Sequence, residues 1–230
     1  MKIRIAVFTL MILSLTAWGL KFDFESEKQL KDWEVVTGEW SIKEGALVIK
    51  NVEPHPGWDH GAGLIYGDPK WKDYVLKVKM KVIEALAGPG KPAGLAAPGP
   101  IVRYQDDNNW YYIECFLNRV IFRPHVGGVD RGWVKTAPVP EAPFPDKKDK
   151  WWELRVEVKG DEISVDVDGE RVLEITYPDI KNGRIGLTAW PGDTVAYDDL
   201  ELEGEGIPEF ISVDPKEKLA VSWGEIKRRW

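Results

Sequence analysis

Hydrophobic and polar residues alternate in short runs along most of this chain. Between Tyr74 and Val82, apolar side chains take every second position and lysines take three of the positions between them. A two-residue period of this kind predicts a strand with one buried and one solvated face. Between residues 151 and 202 the runs are interrupted by Gly-Asp, Asp-Gly and Asn-Gly pairs, which favour tight hairpin turns. The pattern therefore predicts consecutive antiparallel strands.

Two further stretches indicate how these strands are ordered. Residues 33–49 follow the pattern W…G.W.I..G.L.I, and the last strand contains Tyr197-Asp198-Asp199. Both features resemble the jelly roll of concanavalin A-like and laminin-G-like proteins, and the resemblance extends over residues 22–203. It implies an all-β fold in which two antiparallel sheets form a sandwich. We expect one such domain at residues 20–204.

The N-terminal residues have the features of a signal peptide. Lys2 and Arg4 precede an apolar run from Ile5 to Leu15, and residues 17–19 read Ala-Trp-Gly, with small residues at the −3 and −1 positions of a cleavage site. The run is shorter than the roughly 20 residues that a membrane span needs. We therefore expect residues 1–19 to be removed and the protein to be secreted or periplasmic. The alternative is a buried N-terminal strand.

The C-terminal tail, residues 205–230, contains the signals of a short amphipathic helix. Asp214 precedes a proline and a glutamate, which is typical of a helix N-terminus. The apolar residues Leu219, Trp223, Ile226 and Trp230 follow at spacings that give a single stripe. This helix either packs on its own sandwich or docks onto another exported protein through Leu219–Trp230.

Composition narrows the classes of function. The chain has 12 tryptophans in 230 residues, which is enough aromatic surface for both a core and a binding face. A formal net charge of −7 argues against nucleic acid as a partner. Cys115 is the only cysteine, so no intrachain disulfide can form, and its alternation with Ile113 predicts a small core residue.

The segment from Ile101 to His125 contains the best candidate for a ligand site. Tyr111, Ile113 and Cys115 form the more apolar side of a predicted strand and should face the core. Aromatic rings stack on the C–H faces of sugars, while Arg and Glu orient hydroxyl groups. Glycan or polysaccharide binding is therefore expected on the opposite face, and a solvated face with cross-strand Arg–Glu pairs is the alternative. This face should collect Arg103, Trp110, Tyr112, Glu114, Arg119 and Arg123, with His125 at its edge and loop residues such as Trp58, His60, Trp133 and Trp190 as a rim.

The same segment resembles the R-x-x-D-x-N-x-Y hairpin of these jelly rolls, through Arg103, Asp106, Asn108 and Tyr111 or Tyr112. In overall pattern the chain is also similar to the 3-keto-disaccharide hydrolase family. That resemblance implies a hydrolase acting on a glycoside. Glu114 would then be the catalytic acid or base, and Arg103 or His125 would position the substrate. The Asn-Ser-Gly triplet expected before the arginine is replaced by residues 98–100, Pro-Gly-Pro.

Laminarinase-type glucanases share the jelly roll and use a Glu-x-Asp-x-Glu strand with two catalytic carboxylates. The nearest match is residues 166–170, in which Asp168-Gly169 should be a hairpin turn that holds these carboxylates at a strand end. We therefore expect a carbohydrate-binding, lectin-like protein without catalysis. A hydrolase is the alternative, and an adhesion or assembly role through the C-terminal helix is the second alternative.

The ends of the chain contain a candidate calcium site. Jelly rolls often pair their first and last strands, which would bring Asp23 and Glu25 close to Asp198 and Asp199. Several carboxylates with backbone carbonyls suit a structural Ca²⁺ ion. The alternative is that Asp198 and Asp199 bond the backbone at a strand end.

Overall fold

The computed structural model describes residues 19–50, 62–87, 93–139, 144 and 150–208. Within these ranges the chain forms sixteen strands and one 3-10 turn at Glu27–Leu30. In chain order the strands are β1 (Gly19–Phe22), β2 (Glu34–Thr37), β3 (Glu39–Lys43), β4 (Ala46–Lys50), β5 (Ala62–Tyr66), β6 (Tyr74–Ala85), β7 (Gly99–Asp106), β8 (Asn109–Phe116), β9 (Arg119–Val126), β10 (Val129–Asp130), β11 (Lys135–Pro138), β12 (Trp152–Lys159), β13 (Glu162–Val167), β14 (Glu170–Thr176), β15 (Arg184–Ala189) and β16 (Asp193–Gly204).

The strands form two eight-stranded antiparallel sheets that pack face to face. Sheet A has the order β14-β13-β12-β6-β16-β4-β3, with β1 beside β16. Sheet B has the order β10-β9-β8-β7-β15-β5-β2, with β11 beside β9. The predicted all-β, two-sheet jelly-roll sandwich is confirmed. The predicted C-terminal helix at 214–230 and residues 1–18 of the predicted signal peptide lie outside the described residues.

Alternation along the strands builds the core as the sequence predicts. Tyr74, Leu76, Val78 and Met80 of β6 are buried. Lys77 and the other lysines between them lie on the outer side of sheet A. The first and last strands also pair as expected, with β1 running antiparallel to the end of β16. In the residues that the structure describes, no helix is long and apolar enough to cross a membrane.

In strands β8 and β9, side chains also alternate between the core and the outer face. Tyr111, Ile113 and Cys115 of β8 lie in the core between the sheets, as do Val120 and Phe122 of β9. Antiparallel pairing continues without interruption from one end of β8 to the other. The intervening residues of both strands therefore lie on the outer face of sheet B, as the sequence predicts.

Arg103 does not follow this alternation, because the pairing of β7 with β8 contains a register shift. Val102 pairs with Tyr111, but the next pair is Asp106 with Asn109, and the register shifts between them. Arg103 adopts a positive φ of 53°, which a non-glycine residue rarely adopts. This β-bulge re-aims the side chain away from the outer face.

The Arg103 side chain is fully buried and joins three segments at one end of the sandwich. Its Nη1 donates to the Ile180 carbonyl at 2.7 Å, and its Nη2 donates to the carbonyls of Gly160 at 2.5 Å and Lys72 at 3.3 Å. Gly183 allows its backbone to lie close to the backbone of Arg103, because an added Cβ there would lie 2.3 Å from the Arg103 carbonyl carbon. The structure thus places Arg103 inside the protein, where it bonds backbone carbonyls instead of facing a ligand.

We expect Arg103→Met to lower the free energy of unfolding by about 2–4 kcal/mol, because it removes a buried side chain that donates to three backbone carbonyls. Arg171→Met is the matched control, since that side chain is 41% exposed and forms surface ion pairs worth less than about 1 kcal/mol. Urea denaturation of both variants measures the difference. Equal losses in the two variants would contradict the structural role of Arg103.

Candidate functional site

The outer face of sheet B brings together most of the residues that the sequence pattern singles out. Cross-strand pairing sets Trp110 opposite His125, Tyr112 opposite Arg123, Glu114 opposite Ile121 and Phe116 opposite Arg119. Directly opposed residues of an antiparallel pair point to the same side of the sheet. Trp110, Tyr112, Glu114, Arg119, Arg123 and His125 therefore share one face, and Arg103 is absent from it.

The two central aromatic residues of this face are packing residues in this structure. Trp110 and Tyr112 have no exposed surface. Trp110 stacks on His125 with 5.1 Å between ring centroids and 14° between the planes. The Tyr112 hydroxyl donates to the Ala97 carbonyl, in the segment that leads into β7. Neither ring offers an open face to a sugar.

Three charged residues form what we call the ionic triad: Glu114, Arg123 and Asp130. The Arg123 Nε lies 3.1 Å and 3.0 Å from the two carboxylate oxygens of Asp130, and Nη2 also donates to Asp130. The Arg123 Nη1 lies 3.4 Å from Oε2 of Glu114. Glu114 is fully buried, and its Oε1 has no hydrogen-bond partner among the described residues.

Burial governs the protonation of Glu114. Loss of water raises the pKa of its carboxyl group from an ordinary value of 4.5 to about 7, against the opposing effect of Arg123. The negative charge of Asp130 contributes to this rise. Glu114 is therefore divided between its acid and its carboxylate near neutral pH, which is the condition for a group that exchanges protons with a ligand.

An aromatic rim lies beside the ionic triad, formed by Phe116, Trp133 and Trp190. The Phe116 ring is 5.7 Å from Trp133 and 5.6 Å from Trp190. The Arg123 guanidinium lies 6.0 Å from the Trp190 ring, which joins the rim to the triad. Trp133 is 47% exposed, and Trp190 is partly buried. Of the four loop residues expected at the rim, Trp58 and His60 lie outside the described residues.

His125 and Arg119 lie on the same face, but His125 is remote from Glu114. His125 is four residues along β9 from Ile121, the residue opposite Glu114, a separation of about 14 Å at about 3.4 Å per residue. The structure therefore does not bring the two catalytic candidates, Glu114 and His125, together. Arg119 is opposite Phe116 at the end of the strand and lies 3.4 Å from the Asn118 side chain.

The residues expected to bind Ca²⁺ are engaged in other contacts. The Asp199 carboxylate accepts a hydrogen bond from Lys79 at 2.7 Å, which lowers its pKa. Asp23 accepts from the Gln29 side chain at 2.6 Å. Across the ranges that the structure covers, no three acidic, histidine or cysteine residues form a group that could hold a metal ion. The calcium site at Asp23, Glu25, Asp198 and Asp199 stays a prediction from the sequence.

The carboxylates at 166–170 lie where β13 and β14 of sheet A meet, at the predicted hairpin turn. Asp168 and Gly169 both have positive φ angles and form the turn between β13 and β14. Asp166 pairs with Arg155 and Arg171 on the outer side of that sheet. These residues are therefore separate from the ionic triad.

Asp130, by contrast, was not among the residues that sequence reasoning selected. Residues 127 and 128 are both glycines and form a tight turn, so Asp130 is paired opposite His125. The Gly-Gly pair between Val126 and Val129 is a hairpin signal, and it would have placed Asp130 on the Arg123 face.

The raised pKa of Glu114 predicts a pH-dependent stability. Because the folded state binds this proton more tightly, its contribution is complete below about pH 4.5 and is lost as the pH rises through about 7. Between these values we expect the free energy of unfolding of Glu114→Gln to gain on the order of 3 kcal/mol relative to the unmodified protein. Glu157→Gln, a change at a surface carboxylate paired with Arg155, is the control. A pH-independent difference for Glu114→Gln would contradict the buried carboxyl.

Solved structures of similar fold include carbohydrate-binding and glucan-cleaving proteins. The carbohydrate-binding module CBM66 from Bacillus subtilis is 16% identical, with a TM-score of 0.60 over 75% of this chain and 96% of that chain. A prokaryotic β-1,3-1,4-glucanase (lichenase) derived from a mouse hindgut metagenome is 17% identical, with a TM-score of 0.58 over 81% of this chain and 99% of that chain. Bacillus licheniformis β-glucanase is 12% identical, with a TM-score of 0.58 over 83% and 100% of the two chains. At these identities the likeness concerns the fold.

Sequence comparison identifies the family. No curated protein matches the chain significantly. The model of the 3-keto-α-glucoside-1,2-lyase-like domain family matches residues 18–203, which is most of the chain. This protein therefore belongs to the 3-keto-α-glucoside-1,2-lyase-like domain family.

Proposed function

We propose that this protein binds a carbohydrate where the aromatic rim meets the ionic triad. The observation that carries the proposal is the exposed ring of Trp133, linked through Phe116 and Trp190 to the guanidinium of Arg123. The apolar face of a sugar ring stacks on an exposed indole, and Arg and Asp side chains bind its hydroxyl groups. Membership of a family named for a glucoside supports this assignment.

Two expectations about location and partners rest on the sequence alone. Export of the protein, secreted or periplasmic, is a prediction from residues 1–19. Docking of another exported protein by Leu219–Trp230 is a prediction as well, because these residues lie outside the described part of the chain.

We expect Trp133→Ala and Trp190→Ala each to weaken sugar binding at least about fivefold, which corresponds to about 1 kcal/mol for a lost aromatic contact. Isothermal titration with methyl α- and β-glucosides, their 3-keto derivatives and short β-glucans measures the affinity. Trp151→Ala is the matched control, because Trp151 is a partly buried tryptophan on the outer side of sheet A. Equal affinity in all three variants would refute the site.

A second function, cleavage of the bound glycoside, is favoured by the state of Glu114. A carboxyl group with a pKa of about 7 and one unpartnered oxygen suits a general base at neutral pH. In a 3-keto-glucoside the carbonyl at C3 acidifies the hydrogen at C2. Transfer of that proton to Glu114 would form a C1–C2 double bond and break the C1–O bond, and the departing oxygen would take up a proton. The family description points to this elimination, whereas the sequence pattern alone suggests hydrolysis.

For this second function, we expect Glu114→Gln to abolish release of p-nitrophenol from p-nitrophenyl 3-keto-α-glucoside while the affinity for methyl 3-keto-α-glucoside changes less than about threefold. In the unmodified protein the turnover rate should rise about tenfold per pH unit below pH 7, because the base must be ionised. Full turnover in Glu114→Gln would exclude Glu114 as the base. Sugar binding with no turnover in the unmodified protein would identify a binding module.

A further inference from the structure

Asp130 holds Arg123 in a fixed orientation. The Nε and Nη2 atoms along one edge of the guanidinium both donate to the Asp130 carboxylate. A two-pronged contact of this kind fixes the plane of the guanidinium as well as its distance. The Arg123 and Asp130 side chains are only 15% and 22% exposed, so water competes little for these bonds.

The position of Asp130 is fixed by the hairpin that precedes it. Gly127 and Gly128 adopt φ angles of 63° and 74°, which suit a two-residue turn between β9 and β10. The Gly132 N–H donates to Oδ1 of Asp130 at 2.8 Å. The carboxylate is therefore bonded both to Arg123 and to its own backbone, and it has little freedom to move.

Glu114 is contacted by the end of the Arg123 guanidinium that does not bind Asp130. Only Nη1 is directed at Glu114, and its distance of 3.4 Å to Oε2 is at the long end for a hydrogen bond. If Asp130 did not hold the guanidinium, Arg123 could turn and pair with both oxygens of Glu114. Such a pair would stabilise the carboxylate and occupy Oε1.

Among the described residues, Arg123 is the cation whose charge acts on Glu114. In the described residues Arg123 on β9 lowers the pKa of Glu114, and Asp130 on β10 raises it. Tyr112 and Cys115 on β8 have pKa values raised well above ordinary by burial, so they stay neutral. The other ionisable residues of β9 on this face are Arg119, beyond Ile121, and His125, opposite Trp110.

We propose that Asp130 is a positioning residue, which holds the guanidinium of Arg123 so that Glu114 keeps a single long contact and one oxygen, Oε1, without a hydrogen-bond partner. The proposal deepens the assignment of the site and rests on the proposed function for the identity of the ligand. It assigns to Asp130 an effect that acts through Arg123, without contact with the reacting atoms.

The test is the titration of Glu114 by NMR on protein labelled with ¹³C at the glutamate carboxyl groups, with Glu114→Gln identifying the signal. We expect Asp130→Asn to lower the pKa of Glu114 from about 7 by at least one unit. At pH 6 the ionised fraction then rises from about one tenth to half or more. Asp166→Asn is the matched control, since Asp166 pairs with two arginines on the outer side of sheet A, and it should leave the Glu114 titration unchanged.

Asp130→Ser separates support of the turn from the hold on the guanidinium. Serine keeps an acceptor for the Gly132 N–H and thus supports the turn, but it cannot hold the guanidinium with two oxygens. We expect the same fall in the pKa of Glu114 as in Asp130→Asn. An unchanged or raised pKa in both variants would overturn the proposal and leave Asp130 as a turn residue.

The titration needs no sugar, so its failure differs from a failure of the proposed function. If none of the tested glucosides binds, the site assignment falls, whereas the pKa of Glu114 in Asp130→Asn still decides the role of Asp130. If p-nitrophenol is released, the pH of half-maximal turnover should fall in Asp130→Asn by the same amount as the pKa of Glu114. Unchanged half-maximal pH would contradict the proposal.

Discussion

The site depends on the burial of strand β8 on both of its faces. Tyr111, Ile113 and Cys115 pack between the sheets, while Trp110 and Glu114 on the other side also have no exposed surface. A carboxyl group at position 114 therefore lies without water, and burial moves its pKa to about 7. Burial of such a group is tolerated when a cation is close, which Arg123 provides, and Arg123 is in turn held by Asp130. The ionic triad therefore combines one residue from each of the strands β8, β9 and β10.

The face of the sheet on which a side chain lies could be predicted from the sequence, because the alternation of faces depends only on neighbouring residues of the same strand. Alternation placed Tyr112, Glu114 and Arg123 on one face correctly, since β8 and β9 pair without a register shift. It failed at Arg103, where one residue with positive φ moves the side chain into the protein and the register shifts. An arginine gives no sequence signal for such a bulge, unlike a glycine.

Burial of the outer face could not be predicted from alternation either. Trp110 and Tyr112 have the residue types of a sugar-stacking platform, but Trp110 packs against His125, and the Tyr112 hydroxyl bonds the Ala97 carbonyl. Whether a second face is covered depends on loops that approach it from distant parts of the chain. The exposed ring that remains is that of Trp133, in a short connection after β10 where periodicity carries no information.

The fold by itself does not decide between binding and cleavage. Similar sandwiches occur in a carbohydrate-binding module and in glucanases, so the function must be argued from the site. On the other sheet, Asp166 pairs with two arginines and Asp168 pairs with Lys150, so these carboxylates are separate from the ionic triad. On the outer face of sheet B, the buried Glu114 carboxyl group has a pKa of about 7 and lies near the aromatic rim. That arrangement is compatible with recognition of a glycoside and with proton abstraction from one that carries a keto group.

The most direct test of the account is to observe the indole N–H signals of the tryptophans by ¹⁵N NMR while methyl 3-keto-α-glucoside is added. The account predicts that the signals of Trp133 and Trp190, which flank Phe116, shift with saturable dependence on the sugar, and that the Trp151 signal on sheet A does not. Shifts confined to Trp151, or sugar binding that leaves Trp133 and Trp190 unmoved, would contradict it.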